Sequence, residues 1–195
     1  MKTCSLPFAV SLLLFAAAAL AASEPSHRLP RVVKTTSVVD GKVAPGEYAG
    51  GFSDEKTGIQ VSWEADGENL HVALQSALRG WVAIGFGTGG MRGACMVIAF
   101  VDKQGRWIVE EQRGKALYRH SKEESPKLGA GVAGQIDGKT VMEFSLPLIL
   151  SNGKTITASE PMPFILACHK SKTKLSKHSK ATSASLVLET KTNSK

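Results

Sequence analysis

Cysteine is scarce in this chain. Of 195 residues only Cys4, Cys95 and Cys168 carry a thiol. No two of them stand in a Cys-x-x-Cys pair, so a structural zinc ribbon and covalent haem attachment through Cys-x-x-Cys-His are both excluded. Two cysteines beyond the first segment are too few for a disulfide scaffold, and an apolar core must supply most of the stability. Catalytic signatures are missing as well. There is no Gly-x-Ser-x-Gly elbow and no His-Glu-x-x-His. Amphipathic helical periodicity is absent, and so is any apolar run of membrane-spanning length after the first segment. No Asn-x-Ser/Thr sequon occurs, which favours a bacterial periplasm over a eukaryotic secretory route.

The first segment is itself informative. Lys2 precedes an almost wholly apolar stretch from Leu6 to Leu20, and Ala19-Leu20-Ala21 suits cleavage after a small residue. Residues 1–21 therefore read as a secretory signal peptide, and the product is expected to be exported, periplasmic or secreted, and soluble. Residues 22–31 are polar, carry Pro25 and Pro30, and read as a flexible arm. Residues 32–190 read as one domain.

The net charge is +7, and the excess is concentrated. Between His169 and Lys180 stand Lys170, Lys172, Lys174, Lys177 and Lys180, two histidines and no acid. This is either a solvated loop or a docking patch for an acidic partner. Nucleic acid does not fit an exported protein whose basic stretch contains no aromatic residue.

Alternation of apolar and polar residues dominates the rest. Val32-Val33 and Val38-Val39 flank a first expected strand. Ile59, Val61 and Trp63 share one face of another, and Leu70, Val72 and Leu74 one face of the next. Trp81 to Phe86, Met96 to Val101, Trp107 to Val109, Val132 to Ile136, Val141 to Leu146, Pro163 to Cys168 and Leu186 to Leu188 follow, divided by turns such as Asp66-Gly67 and Asp137-Gly138. About ten short strands predict an all-β sandwich or barrel. Residues 113–131 are charged, contain Pro126, and read as a long loop with room for a short helix.

One stretch stands out. Gly80-Trp81-Val82-Ala83-Ile84-Gly85-Phe86-Gly87 runs from an interior strand into a turn bearing Gly89, Gly90 and Gly93 and presenting Met91. Its Gly85-x-Gly87-x-x-Gly90 spacing matches a bare dinucleotide fingerprint, but the element that follows, Cys95 to Val101, reads as a strand. A pyrophosphate needs a helix N-terminus there. Met91 is either a packing residue or a thioether ligand. Among the histidines, His27 lies in the arm, His71 opposite an apolar face, His120 in the charged loop, and His169 and His178 in the basic segment.

These pieces, in order, resemble the DOMON domain. The resemblance takes in Val39-Asp40-Gly41 with Gly46-Glu47-Tyr48, the Gly80–Gly87 run with Met91 and Gly93-Ala94, and Val97 to Asp102. It continues through Asp137-Gly138-Lys139-Thr140 with Phe144 to Leu148, Ile165-Leu166-Ala167, and a histidine before the closing strand. It implies an immunoglobulin-like β-sandwich of about ten to eleven strands. Its cytochrome branch, similar to the haem domain of cellobiose dehydrogenase and the haem subunit of ethylbenzene dehydrogenase, holds a non-covalent haem b. One axial ligand is a methionine after the Gly-Trp strand. The other is a histidine or lysine ahead of the last strand. Transferred residue by residue, Met91 and His178 are the implied ligands. His169 competes with His178, Lys174 and Lys177 are further candidates, and Trp81, Phe86, Ile98 and Leu166 would wall the pocket.

A Met/His pair leaves iron no open position and suits electron transfer rather than oxygen binding. The resemblance thus implies a carrier that is not an enzyme by itself and exchanges single electrons with a redox partner docked on residues 169–180. The competing reading is a haem-free carbohydrate or small-molecule module, with Trp81 and Trp107 free to stack on a ligand. Cys95 stands where many members carry an acid, and Cys168 precedes His169. The pair is open to three readings: buried small hydrophobes, a disulfide, or donors of a copper site.

Overall fold

The computed structural model describes residues 26–116 and 119–190. The expected signal peptide lies outside the described residues. Twelve strands form, and no helix is present among the described residues. They are β1 (Ser26–Leu29), β2 (Gly50–Asp54), β3 (Ile59–Ala65), β4 (Asn69–Ser76), β5 (Val82–Phe86), β6 (Cys95–Val101), β7 (Trp107–Ala116), β8 (Arg119–Lys122), β9 (Gly131–Ile136), β10 (Lys139–Pro147), β11 (Met162–Cys168) and β12 (Lys180–Leu188). A seven-stranded sheet runs β1-β12-β11-β5-β6-β7-β8, and a five-stranded sheet runs β2-β3-β4-β10-β9. All pairings are antiparallel except that of β1 with β12.

The period of two decides what lies between the sheets. Ile59, Val61, Trp63 and Ala65 of β3, Leu70, Val72 and Leu74 of β4, and Met142, Phe144 and Leu146 of β10 are all fully buried in one core cluster. The seven-stranded sheet answers with Val82, Ile84 and Phe86, Cys95, Val97 and Ala99, Phe164, Leu166 and Cys168, and Leu186 and Leu188. Trp63 packs edge-on to Phe164 at 5.7 Å, and its indole N–H donates to the Arg28 carbonyl at 3.0 Å.

Three segments differ from their sequence-based expectation. Ser26–Leu29 is a strand rather than part of a flexible arm: Leu29 is fully buried, and the His27 ring stacks on Phe52 at 3.6 Å. Parallel pairing with β12 supplies the backbone partners that local sequence does not announce. Residues 113–131 are not one loop. β7 continues to Ala116 and β8 returns beside it, held across by Arg113–Glu123 at 2.6 Å and Lys122–Glu110 at 3.3 Å. Charged strands hide from a hydrophobicity reading because they sit at the sheet edge. Conversely, the valines at 32–39 form no strand among the described residues, and Val33 is 99% exposed.

Candidate functional site

In a two-sheet sandwich the outer face of each sheet meets solvent, so a strand should alternate buried and exposed. β5 does not: all five of its residues are buried. Val82, Ile84 and Phe86 face the interior. Trp81, Ala83 and Gly85 face outward, and Trp81 and Ala83 join Ala94, Met96 and Ile98 in a second apolar cluster, against which Met91, Phe100, Ile165 and Ala167 pack. Register places Ala83 between Ile98 and Ala167, and Gly85 between Met96 and Ile165. At these two positions β5 carries only a methyl and a hydrogen, while Ile98, Met96 and Ile165 rise beside them, which makes a furrow along β5. A Cβ on Gly85 would lie 2.9 Å from Met96 Cγ and 3.0 Å from Ile165 Cγ1.

Two loops build walls on this floor. The first is the Gly87–Gly93 turn. Lys154 Nζ donates to the Gly87 carbonyl at 2.6 Å, and Asn152 Nδ2 lies 3.1 Å from the Phe86 carbonyl and 3.2 Å from that of Gly93. The far side of the turn is pressed onto β7. The Gly93 N–H donates to the Gly114 carbonyl at 2.8 Å, and the Gly114 N–H to that of Ala94 at 3.1 Å. Only glycine fits at 114, because a Cβ there would lie 1.7 Å from the Met91 carbonyl oxygen.

The second wall is the basic segment. The N–H groups of Trp81 and Val101 donate to the carbonyls of Lys172 and Thr173 at 3.0 and 2.9 Å, which ties the loop across the ends of β5 and β6. Trp81 Nε1 reaches Ser176 Oγ at 3.4 Å. Together the floor and walls border a half-open cavity of about 410 Å³ with mainly apolar walls, a size typical of small-molecule sites. Met91, His178 and His120 all line it, with Trp81, Ile98 and Leu166.

The expected site residues separate on this geometry. Met91 and His178, remote in sequence, meet at one cavity. Trp81 belongs to it, while Phe86 lies on the inner face, fully buried in the main core. The odd and even positions of β5 are both apolar, so sequence alone does not say which set faces the cavity. His169 is spent on the turn itself: its Nδ1 accepts the N–H groups of Ser171 at 3.0 Å and Lys172 at 2.8 Å, and its own N–H donates to the Trp81 carbonyl. It does not line the cavity.

Cys95 and Cys168 are free thiols on the inner face, both fully buried. Burial pushes the Cys95 thiol up to about 12, with the Ser151 hydroxyl opposing and Glu111 adding to the rise. Burial also raises Cys168. Protonated thiols facing away from the cavity cannot complete a copper site with Met91 and His178. Trp107, the other tryptophan considered for stacking, is half-buried against the main core.

His120 is the residue the sequence did not single out. It lies on β8, opposite Gly114, and burial lowers its pKa below the usual imidazole value. Its one sequence signal was a single polar letter in a charged stretch. Among the described residues no three His, Cys, Asp or Glu side chains come together as a metal-holding group. A bare ion would also leave most of an apolar cavity of this size unused. The cavity instead combines a thioether, an imidazole and a floor narrowed to Ala83 and Gly85, a lining with room for a flat apolar group.

No curated protein matches the chain. Among solved structures, it is similar to the cytochrome b domain of pyranose dehydrogenase from Coprinopsis cinerea, with a TM-score of 0.54 at 16% identity over 69% of this chain and 79% of that one. Two further similarities are a carbohydrate binding module of family 9 from Caldicellulosiruptor kristjanssonii in complex with cellotriose and the cytochrome domain of Myriococcum thermophilum cellobiose dehydrogenase. The first has a TM-score of 0.49 and 10% identity over 86% of this chain and 95% of that one. The second has a TM-score of 0.44 and 12% identity over 72% and 88%. The first of these comparisons supports the sandwich architecture. The family model of the DOMON domain matches residues 55–169, more than half of the sequence and a span that includes β5, the Met91 turn and β11, and the chain belongs to that family.

Proposed function

We propose that this is an exported, non-catalytic electron-transfer module that binds one haem b without covalent attachment, with Met91 and His178 as axial ligands. The observation that carries the reading is the convergence of a thioether and an imidazole, remote in sequence, on one apolar cavity whose floor is narrowed to Ala83 and Gly85. The haem would supply the one-electron Fe(III)/Fe(II) couple. The chain's part is to bind and insulate it. Ala83 and Gly85 make room, and Met96, Ile98, Ile165 and Ala167 exclude water from the faces. The Met91 turn, held by Gly114, Asn152 and Lys154, presents the thioether, a ligand that raises the potential. The basic loop brings His178, and it carries five exposed lysines along with Leu175, which is 36% exposed. That rim, charged with one apolar contact, suits brief docking of an acidic redox partner near the cavity.

The test is the visible spectrum of protein purified from haem-replete cells, oxidised and then reduced with dithionite. The reading requires a Soret band and sharp reduced α and β bands that carbon monoxide does not shift. A colourless protein that refuses added haemin sinks it and turns attention to the haem-free carbohydrate or small-molecule module.

A further inference from the structure

His120 and the Met91 turn rest on the two sides of one glycine. Gly114 pairs with His120 across β7 and β8, and the Met91 carbonyl lies against the Gly114 Cα. The ring is held in one tautomer by a chain of acceptors. The Glu110 carboxylate can only accept, so at 2.8 Å it takes an N–H from Gln112 Nε2. That orients the Gln112 amide, itself 5% exposed, with its oxygen toward His120 Nδ1, which bonds closely to it. An amide oxygen is also an acceptor, so Nδ1 carries the proton. Nε2, on the other edge of the ring, is left with a lone pair. No described residue hydrogen-bonds Nε2, and the side chain lines the cavity. Burial favours the neutral imidazole that coordination needs. A ring nitrogen whose opposite N–H is fixed by a buried acceptor is how proteins orient metal-binding histidines. A histidine that only packs would not need one nitrogen locked by a buried amide at the border of an apolar cavity.

We propose that His120 is a reserve axial ligand of this cavity, an imidazole that would replace the Met91 thioether on a haem held there. The proposal rests on the haem reading above. The exchange swaps one neutral donor for another: the iron–sulfur bond breaks, an iron–nitrogen bond forms, and no electron or proton is transferred. With His178 as the other ligand, the result would be bis-imidazole ligation, which has a lower midpoint potential than Met/His because the thioether is gone.

The experiment uses the full haem-loaded chain in four forms: wild type, Met91→Leu, Met91→Leu with His120→Leu, and Met91→Leu with His120→Asn. The Asn variant keeps a polar group of similar reach toward Gln112 but has no second ring nitrogen, so it guards against a double variant that merely misfolds. Electron paramagnetic resonance and visible spectra report spin state, and carbon monoxide reports an open position. Met91→Leu is expected to stay low-spin and closed to carbon monoxide, with the thioether charge-transfer band lost and the potential lowered. Both double variants are expected to turn high-spin and to bind carbon monoxide once reduced. A high-spin Met91→Leu single variant overturns the role of His120, and so does a low-spin spectrum in either double variant. A wild type that takes up no haem fails differently, because it overturns the haem reading itself and the reserve ligand with it.

Discussion

The two sheets cover their outer faces in opposite ways. On the five-stranded sheet, Glu64 and Glu143 point outward yet are 2% and 0% exposed, because residues 32–49 lie over them. The two carboxylates are closed over by hydrogen bonds from the chain itself. Glu143 accepts from the Gly41 N–H at 2.6 Å and the Tyr48 hydroxyl at 2.8 Å, and Glu64 from the Ala49 N–H at 3.1 Å and closely from the Thr35 hydroxyl. On the seven-stranded sheet the outer face is apolar, and the loops that reach over it leave a cavity of about 410 Å³. A buried carboxylate without partners is costly, so the first face must be closed by protein. An apolar furrow can wait for a ligand. The first cover is therefore structural, and the second is the face that the proposed function uses.

The largest effect should come from breaking the polar cover. Glu143→Ala leaves the Gly41 N–H and Tyr48 hydroxyl without their acceptor and should cost about 2 kcal/mol in urea unfolding. Haem uptake by the folded protein should not change. If uptake falls in step with stability, the two covers are not independent. Next comes the furrow. Ala83→Leu fills its floor, and haem affinity should drop at least tenfold, about 1.4 kcal/mol, while stability of the haem-free protein holds or rises because the new side chain is buried. Unchanged haem titration in this variant would place the ligand elsewhere.

Smaller still is the rim. Replacing Lys172 and Lys177 with Gln should slow oxidation of the reduced protein by anionic ferricyanide a few-fold at low salt and flatten its salt dependence, with no such slowing for a cationic ruthenium hexaammine oxidant. Equal effects on both oxidants would make the lysines bystanders.

The smallest effect is a slope. Burial raises the Glu143 pKa above its ordinary carboxylate value, against the opposing hydrogen bonds from Tyr48 and Gly41. The folded protein then holds this proton more tightly than the unfolded chain. The contribution is full below the unfolded pKa and is lost as pH climbs through the raised folded one. Melting temperatures from pH 4.5 upward should show a decline that Glu143→Gln removes. An identical slope in the variant would assign it to other groups.

Much of the fold was legible because alternation is a local signal. Ile59, Val61 and Trp63, then Leu70, Val72 and Leu74, needed nothing beyond a period of two to be placed inward. β1 and β8 were not legible. One is made by a parallel partner at the far end of the chain and the other by cross-strand ion pairs at an edge. The site divided along the same line. The Met91 turn was visible as glycines after an apolar strand, whereas His120 looked like one polar residue in a charged stretch.

What the sequence determined by itself is the repertoire: an all-β chain, a glycine-rich turn offering one thioether, and a basic segment holding two histidines. Tertiary structure decided which of these meet. It turned Ala83 and Gly85 outward and Phe86 inward, since register against β6 and β11 fixes which half of an all-apolar strand faces the core. It used His169 to build a turn and brought His178 to the cavity, because the hydrogen bonds of Trp81 and Val101 set the path of the loop. It also placed His120 beside the Met91 turn through a glycine that both elements share, a contact between separate strands that no local pattern encodes.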